Sequence, residues 1–189
     1  MRIGVLGGSF DPVHLGHLAL AEAARDRLGL DRVILIPAAS QPLKPGGAGA
    51  SAEDRYAMVR LAVRGRPGLE ASDLEIRRPG PSYTVETLRE LRAGLPPETG
   101  IVLLLGADAL ADFPRWRSAE LILRLSVVVA FRRPGFPEPS GASLAIDAAL
   151  PDLSSTEVRR RAAAGLPLAG FVPDDVAAYL LRRGLYGPA

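Results

Sequence analysis

The 189-residue chain, 48% hydrophobic and 23% charged, is long enough for one domain (1–189) with a substantial core and too short for two full-sized ones. A formal charge of +2 is too small and too evenly spread to bind a nucleic acid polymer, and the absence of cysteine excludes disulfides, thiolate catalysis and cysteine-ligated zinc. No stretch approaches the roughly 20 apolar residues of a membrane span, and the N-terminus carries no signal-peptide pattern, so the expectation is a cytoplasmic protein with no membrane partner.

In chain order, Arg2–Leu6 reads as a buried strand, Leu15–Leu28 as a helix and Arg32–Pro37 as a second strand. Glu53–Arg64 has helical periodicity, Leu69–Ile76 reads as extended, and Tyr83–Arg92 as helical. Ile101–Leu105 is the clearest buried strand; Ser118–Leu125 is helix-like and Ser126–Phe131 is the next strand. Ser155–Ala164 and Asp174–Arg183 form a C-terminal helical part over 151–189. Pro42–Gly49 and Arg133–Ser143, rich in Pro, Gly, Ala or Ser, read as loops. Strands alternating with helices predict an α/β fold, a Rossmann-like parallel sheet flanked by helices with a small C-terminal helical extension.

The first chemical signal lies between the first strand and first helix: Gly7, Gly8, Ser9, Phe10, Asp11, Pro12, Val13, His14, Leu15, Gly16 and His17. A parallel sheet presents ligands at such a position, paired glycines admit an anion close to backbone N–H groups, and a helix N-terminus adds partial positive charge. His14 and His17, the only histidines, are spaced i, i+3 and are expected on one side of the helix start. Neither a dinucleotide fingerprint nor a Walker A loop is present. For the histidines, a capping hydrogen bond with a core position, or a metal pair completed by a third ligand, stays open.

Residues 8–17 resemble the signature of the nucleotidyltransferase superfamily, whose His-x-Gly-His element handles the phosphates of a nucleoside triphosphate. The resemblance implies direct attack of a substrate oxygen on the α-phosphorus, without a protein nucleophile. Leu153–Arg159 resembles the second signature of the superfamily, so Ser155, Thr156 and Arg159 are expected at the triphosphate; the same residues read as a capping box of Ser154 with Glu157. Arg160 and Arg161 read as a solvated face.

Two central segments bear on the other substrate. Pro81-Ser82-Tyr83-Thr84 opens a helix, with Ser82 as candidate N-cap and the N–H groups of Tyr83 and Thr84 available to a carboxylate. Gly106-Ala107-Asp108 closes the central strand, and a short loop then leads to Trp116, the only tryptophan and a surface on which a planar ring can stack. Together with Arg132–Gly135 and Gly184-Leu185-Tyr186, these residues are similar to the nicotinate-nucleotide adenylyltransferase family almost end to end.

That resemblance implies adenylyl transfer from ATP to nicotinate mononucleotide. His14 and His17 are then the catalytic residues. Gly7, Gly8, Ser9, Phe10, His14, His17, Gly106, Asp108, Ser155, Thr156 and Arg159 would bind ATP. Ser9, Lys44, Tyr83, Thr84 and Trp116 would bind nicotinate mononucleotide. Mg²⁺ would arrive on the ATP phosphates rather than on protein ligands. One departure stands out: after Ile36-Pro37 the family often carries a basic residue or histidine where this chain has Leu43, and Lys44, the only lysine, follows it. A phosphopantetheine or cytidylyl transferase of the same superfamily, a nucleotide-binding protein without turnover and a histidine-ligated metallohydrolase are the rival readings. A homo-oligomer is compatible with the sequence.

Overall fold

Six parallel strands form a single sheet in the order β3-β2-β1-β4-β5-β6 in the computed structural model, which describes residues 1–40, 49–132, 144–147 and 150–187. The strands are β1 Arg2–Gly8, β2 Arg32–Pro37, β3 Leu69–Ala71, β4 Gly100–Gly106, β5 Val127–Arg132 and β6 Leu144–Asp147. The helices are α1 Leu15–Leu28, α2 Ala52–Val63, α3 Leu74–Arg77, α4 Thr84–Gly94, α5 Ala107–Asp112, α6 Ala119–Leu125, α7 Ser155–Ala163 and α8 Asp174–Arg183. The expected α/β architecture is the one observed.

The central strands are apolar without interruption because both sheet faces are covered. Side chains alternate across a strand, so Ile3 and Val5 of β1, Ile34 and Ile36 of β2, and Ile101, Leu103 and Leu105 of β4 enter one cluster with Val85 and Leu88 of α4 and Ile122 of α6. Leu6, Val33, Leu35, Val102 and Leu104 enter the other, against Leu18 and Ala21 of α1 and Met58 and Val59 of α2. Val158 of α7 with Val176 and Leu180 of α8 joins this second group, so the C-terminal helices share buried surface with β1 and β2. Each such side chain contributes about 1.5–3 kcal/mol on burial.

Strand order reverses between β1 and β4, which pair in register from Arg2↔Gly100 to Val5↔Leu103. A crevice opens at the carboxyl ends of strands on either side of such a reversal. The glycine-rich motif leaves β1 there, and Gly106 leaves β4 beside it. Helix α1 stops where Gly29, at φ 58°, takes the left-handed conformation that residues with a Cβ avoid.

Three local expectations change. Only Leu69–Ala71 of the extended segment pairs with β2; Ser72 donates to Leu35 O at 3.0 Å, and Leu74–Arg77 then turns into helix α3. The stretch between Gly106 and Trp116 is helix α5 and a 3-10 turn over Phe113–Arg115 rather than a loop. Strand β6 lies on the sheet edge with Leu144 half exposed, and its four residues are too short for a periodic signal. Residues 41–48 and 133–143, most of the two expected loops, lie outside the described residues.

Helices α2 and α8 are joined by Asp54. Its carboxylate accepts from Tyr179 Oη at 2.7 Å, Arg183 Nε at 3.1 Å and Ser51 Oγ at 2.9 Å, while Ser51 Oγ caps the helix by accepting from Asp54 N–H. Burial raises the Asp54 carboxyl, but the bonds from Tyr179, Arg183 and Ser51 outweigh it and hold the group below its ordinary 3.8. A carboxyl lowered in the folded state stabilises above its unfolded pKa and loses that contribution as pH falls through the folded value. Asp54→Asn is therefore expected to cost about 1–3 kcal/mol near pH 7. The gap between the melting curves of the two proteins should close as pH falls below the ordinary carboxylate range; a gap independent of pH would remove the charge from the account.

Candidate active site

The first motif crosses from β1 to α1 and builds the helix start from its own histidines. His14 is the N-cap of α1, and its backbone N–H donates to Nδ1 of His17, three residues on, at 3.2 Å. The rings stack with centroids 3.7 Å apart at 28°, so the pair occupies one side of the helix start as the spacing predicts. Phe10, fully buried, sets its ring edgewise on His17 at 4.9 Å and backs the pair from the core side. Phe10 also holds φ at 47°, a left-handed conformation that costs a non-glycine residue of order 1–3 kcal/mol and is retained because the surrounding packing imposes it. At Gly16 a Cβ would lie 3.0 Å from His14 Nδ1 and 3.1 Å from Cε1, a tight contact that would have to shift a ring stacked on His17.

The helix start offers fewer donors than expected. Leu15 N–H donates to Phe171 O at 2.9 Å, and His14 N–H is taken by His17. The C-terminal segment thus occupies part of this helix end.

The second motif docks directly on the first. Ser155 Oγ donates to Pro12 O at 2.9 Å, and Arg159 Nη1 donates to Asp11 O at 2.7 Å. Arg159 Nη2 also donates to Thr156 Oγ1 at 3.2 Å, so the guanidinium is half-exposed but aimed. Ser154 Oγ accepts from Glu157 N–H at 3.2 Å, giving half of the capping box; the Glu157 side chain turns instead to Arg160. The cap coexists with the docking of Ser155 and Arg159 on the first motif. Arg160 lies on the solvated side. Arg161 does not: it covers the Phe171 ring at 4.3 Å and donates to Pro167 O, because the chain folds back beneath it.

Three residues outside the expected set hold the motif in place. Asp11 is buried, accepting from Gly49 N–H at 2.7 Å, Ala50 N–H at 3.0 Å and Tyr186 Oη at 2.5 Å. Burial and the Asp11 hydrogen bond push the Tyr186 hydroxyl far up, so it remains a donor. Arg55, 2% exposed, donates to Ser9 O at 2.7 Å, Ala39 O at 3.2 Å and Ala50 O at 3.3 Å. Desolvation lowers its affinity for a proton, and the nearby Asp11 charge opposes that. Asp11 and Tyr186 stood inside motifs that the sequence singles out; Arg55 had no signal, because one arginine among many on an amphipathic helix looks like the rest.

On the other side of the crevice, Tyr83 rather than Ser82 is the N-cap of α4, and Thr84 is its first helical residue. Ser82 Oγ accepts from Ala39 N–H at 2.9 Å, and Tyr83 N–H is spent on Pro81 O at 3.1 Å. Tyr83 and Trp116 pack against the same buried cluster, and Arg117 lies over the Tyr83 ring at 4.7 Å. Trp116 meets Phe113 at 5.6 Å, tilted by 60°. The segment from Ala38 to Ser40 connects the two halves: Ala38 N–H donates to Gly8 O and Ser82 N–H to Ser40 O, each at 2.9 Å. Lys44 and the Asp108 side chain lie outside the described residues.

Among the described residues no three His, Cys, Asp or Glu side chains gather into a metal-binding group. The one carboxylate inside the first motif, Asp11, already accepts on both oxygens, from Ala50 and Tyr186 on one and Gly49 on the other.

Two motifs docked on each other at a parallel-sheet switch point are the arrangement expected of a nucleotidyltransferase, and the family model described as cytidylyltransferase-like matches residues 5–161. The chain is 47% identical over 98% of its length to the Roseiflexus castenholzii protein named "Probable nicotinate-nucleotide adenylyltransferase", and covers 98% of that relative. A Thermus thermophilus protein of the same name is 44% identical, with 98% of this chain and 100% of the relative covered. The chain belongs to the nicotinate-nucleotide adenylyltransferase family. Its fold is that of Plasmodium falciparum nicotinic acid mononucleotide adenylyltransferase complexed with NaAD, at TM-score 0.82 and 16% identity over 98% of this chain and 97% of that one. No helix among the described residues is long and apolar enough to cross a membrane.

Proposed function

We propose that this chain transfers the adenylyl group of ATP to nicotinate mononucleotide, forming deamido-NAD and pyrophosphate. The observation that carries the proposal is the docking of Ser155 and Arg159 on the carbonyls of Pro12 and Asp11, which makes one phosphate-facing surface of two motifs far apart in sequence. An oxygen of the nicotinate mononucleotide phosphate attacks the α-phosphorus of ATP, and the bond to the bridging oxygen of pyrophosphate breaks. His14 and His17 stabilise charge on the α-phosphate and the leaving group. Arg159 and the Thr156 hydroxyl hold the β- and γ-phosphates, at the helix start that Ser155 fixes on Pro12. Gly7, Gly8, Ser9 and Phe10 shape the backbone under the nucleotide, and Gly106 with Asp108 lies at its ribose. Mg²⁺ on the ATP phosphates supplies charge neutralisation when bound.

The acceptor is held by Ser9, Tyr83, Thr84 and Trp116, with Lys44 as a further phosphate contact. The nicotinate ring stacks on Trp116, and its carboxylate lies at the start of α4, where the helix dipole favours an anion. The proposed setting is the cytoplasm, where both nucleotides are at hand.

The test is pyrophosphate release with Mg-ATP and nicotinate mononucleotide, nicotinamide mononucleotide or phosphopantetheine in parallel. Turnover with the nicotinate compound well above the other two is expected. Preferred use of phosphopantetheine would keep the histidine chemistry and overturn the roles of Thr84 and Trp116.

A further inference from the structure

A buried carboxylate lies behind the acceptor turn and takes no part in the chemistry just described. Glu75 of α3 is 7% exposed. It accepts from Thr87 Oγ1, in the first turn of α4, at 2.6 Å, and the Ser82 hydroxyl lies near it. Burial raises its pKa, while those two hydroxyls and the charge of Arg78 oppose the rise. Arg78 reaches the group through Thr87 Oγ1 at 2.9 Å and pairs outward with Glu90 at 3.2 Å. Burying a carboxylate costs several kcal/mol, and well-packed apolar residues in such a place are often neutral or stabilising. Stability alone is therefore a poor account of a charge here.

The hydroxyls near Glu75 come from both sides of residue 83. Ser82 lies immediately before Tyr83, and Thr87 lies three residues after Thr84. Ser82 then passes the constraint on, because its Oγ accepts from Ala39 N–H at 2.9 Å and its N–H donates to Ser40 O at 2.9 Å. Ala39 O is held by Arg55, whose guanidinium also holds Ser9 O in the phosphate motif. Hydrogen bonds therefore run from Ser82 through Ala39 and Arg55 to Ser9, with Glu75 bonded to Thr87 and lying beside the Ser82 hydroxyl.

We infer that Glu75 is a positioning residue for the acceptor: through Ser82 and Thr87 it sets where the start of α4 stands relative to the phosphate-binding motif. This rests on the proposed acceptor site at Tyr83, Thr84 and Trp116. In-line transfer requires the attacking oxygen and the α-phosphorus within a few tenths of an ångström of their productive separation. The network maintains that spacing across two separately folded segments. The start of α4 carries the proposed acceptor contacts Tyr83 and Thr84 and no proposed ATP contact, so loss of Glu75, which bonds to α4 through Thr87, acts first on the acceptor.

The experiment is steady-state kinetics of Glu75→Leu, Glu75→Gln and Ser82→Ala with both substrates varied, beside the unaltered protein. Glu75→Leu is expected to raise KM for nicotinate mononucleotide by about tenfold or more, with KM for ATP within about twofold. Glu75→Gln, which keeps an acceptor oxygen, should recover part of that loss. Ser82→Ala should show the same acceptor-selective rise without removing a buried charge, so it decides the matter if Glu75→Leu does not fold. Equal rises in both KM values, or an unchanged KM for the acceptor in Ser82→Ala, would overturn the inference. Failure of the unaltered protein to use nicotinate mononucleotide would instead overturn the proposed acceptor.

Discussion

His17→Ala is expected to lower kcat by about 10²- to 10³-fold, the loss that follows removal of one preorganised group facing developing charge. The ring is not deep in the core; it lies at the third position of α1, stacked on His14 and edged by Phe10. Its hydrogen bond to the helix start is a capping interaction, Nδ1 accepting from His14 N–H at 3.2 Å. Losing a cap costs about 1 kcal/mol. In a chain of this size that lowers the melting temperature by only about 2–4 °C. The two effects differ enough to separate a chemical role from a structural one. Turnover and thermal melting of the same preparation check it, and turnover near normal would take the histidine out of the mechanism. His14 is the less clean probe, since it is buried and is itself the cap.

The largest stability effect is expected at a residue that touches no substrate. Arg55 donates to the carbonyls of Ser9, Ala39 and Ala50 from a nearly inaccessible position. Arg55→Met keeps most of the volume and leaves these acceptors without their donor, at a cost of about 3–5 kcal/mol, the range for breaking buried charged networks. Thermal melting should fall by roughly 6–20 °C. Arg55→Lys should recover little, because a single ammonium cannot reproduce a planar fork reaching three carbonyls. The residual activity well below the new melting point should also be reduced, since Ser9 belongs to the phosphate motif and Ala39 holds Ser82. A melting point within about 2 °C of the unaltered protein would mean that water replaces the guanidinium and the network is not tied by it.

Much of the molecule was legible from local pattern. The continuous apolar runs at Ile34–Ile36 and Ile101–Leu105 could only be strands covered on both faces, and alternation with helical periods made the sheet parallel. The motif from Gly8 to His17 was legible because its chemistry is local: glycines for close approach, histidines one helical turn apart, all within one strand-to-helix connection. Helix α7 was legible for the same reason, with its cap Ser154 and the hydroxyls of Ser155 and Thr156 adjacent in the chain.

Tertiary structure decided which partners the polar groups took. Ser82 has the composition of an N-cap, yet its hydroxyl accepts from Ala39 N–H, and Tyr83 capped the helix instead. Leu74–Arg77 carries an extended-looking pattern, but β3 ends at Ala71 and the chain turns to bring Glu75 inward. Arg161 left the solvated face for Phe171, and Tyr186, far along the chain, closed on Asp11. Hydrophobic periodicity and helix caps are set by residues a few positions apart and survive in the sequence as patterns. A buried donor is satisfied by whichever acceptor the packed sheet brings near, and that choice exists only once β1, β2, α2 and the C-terminal helices are assembled.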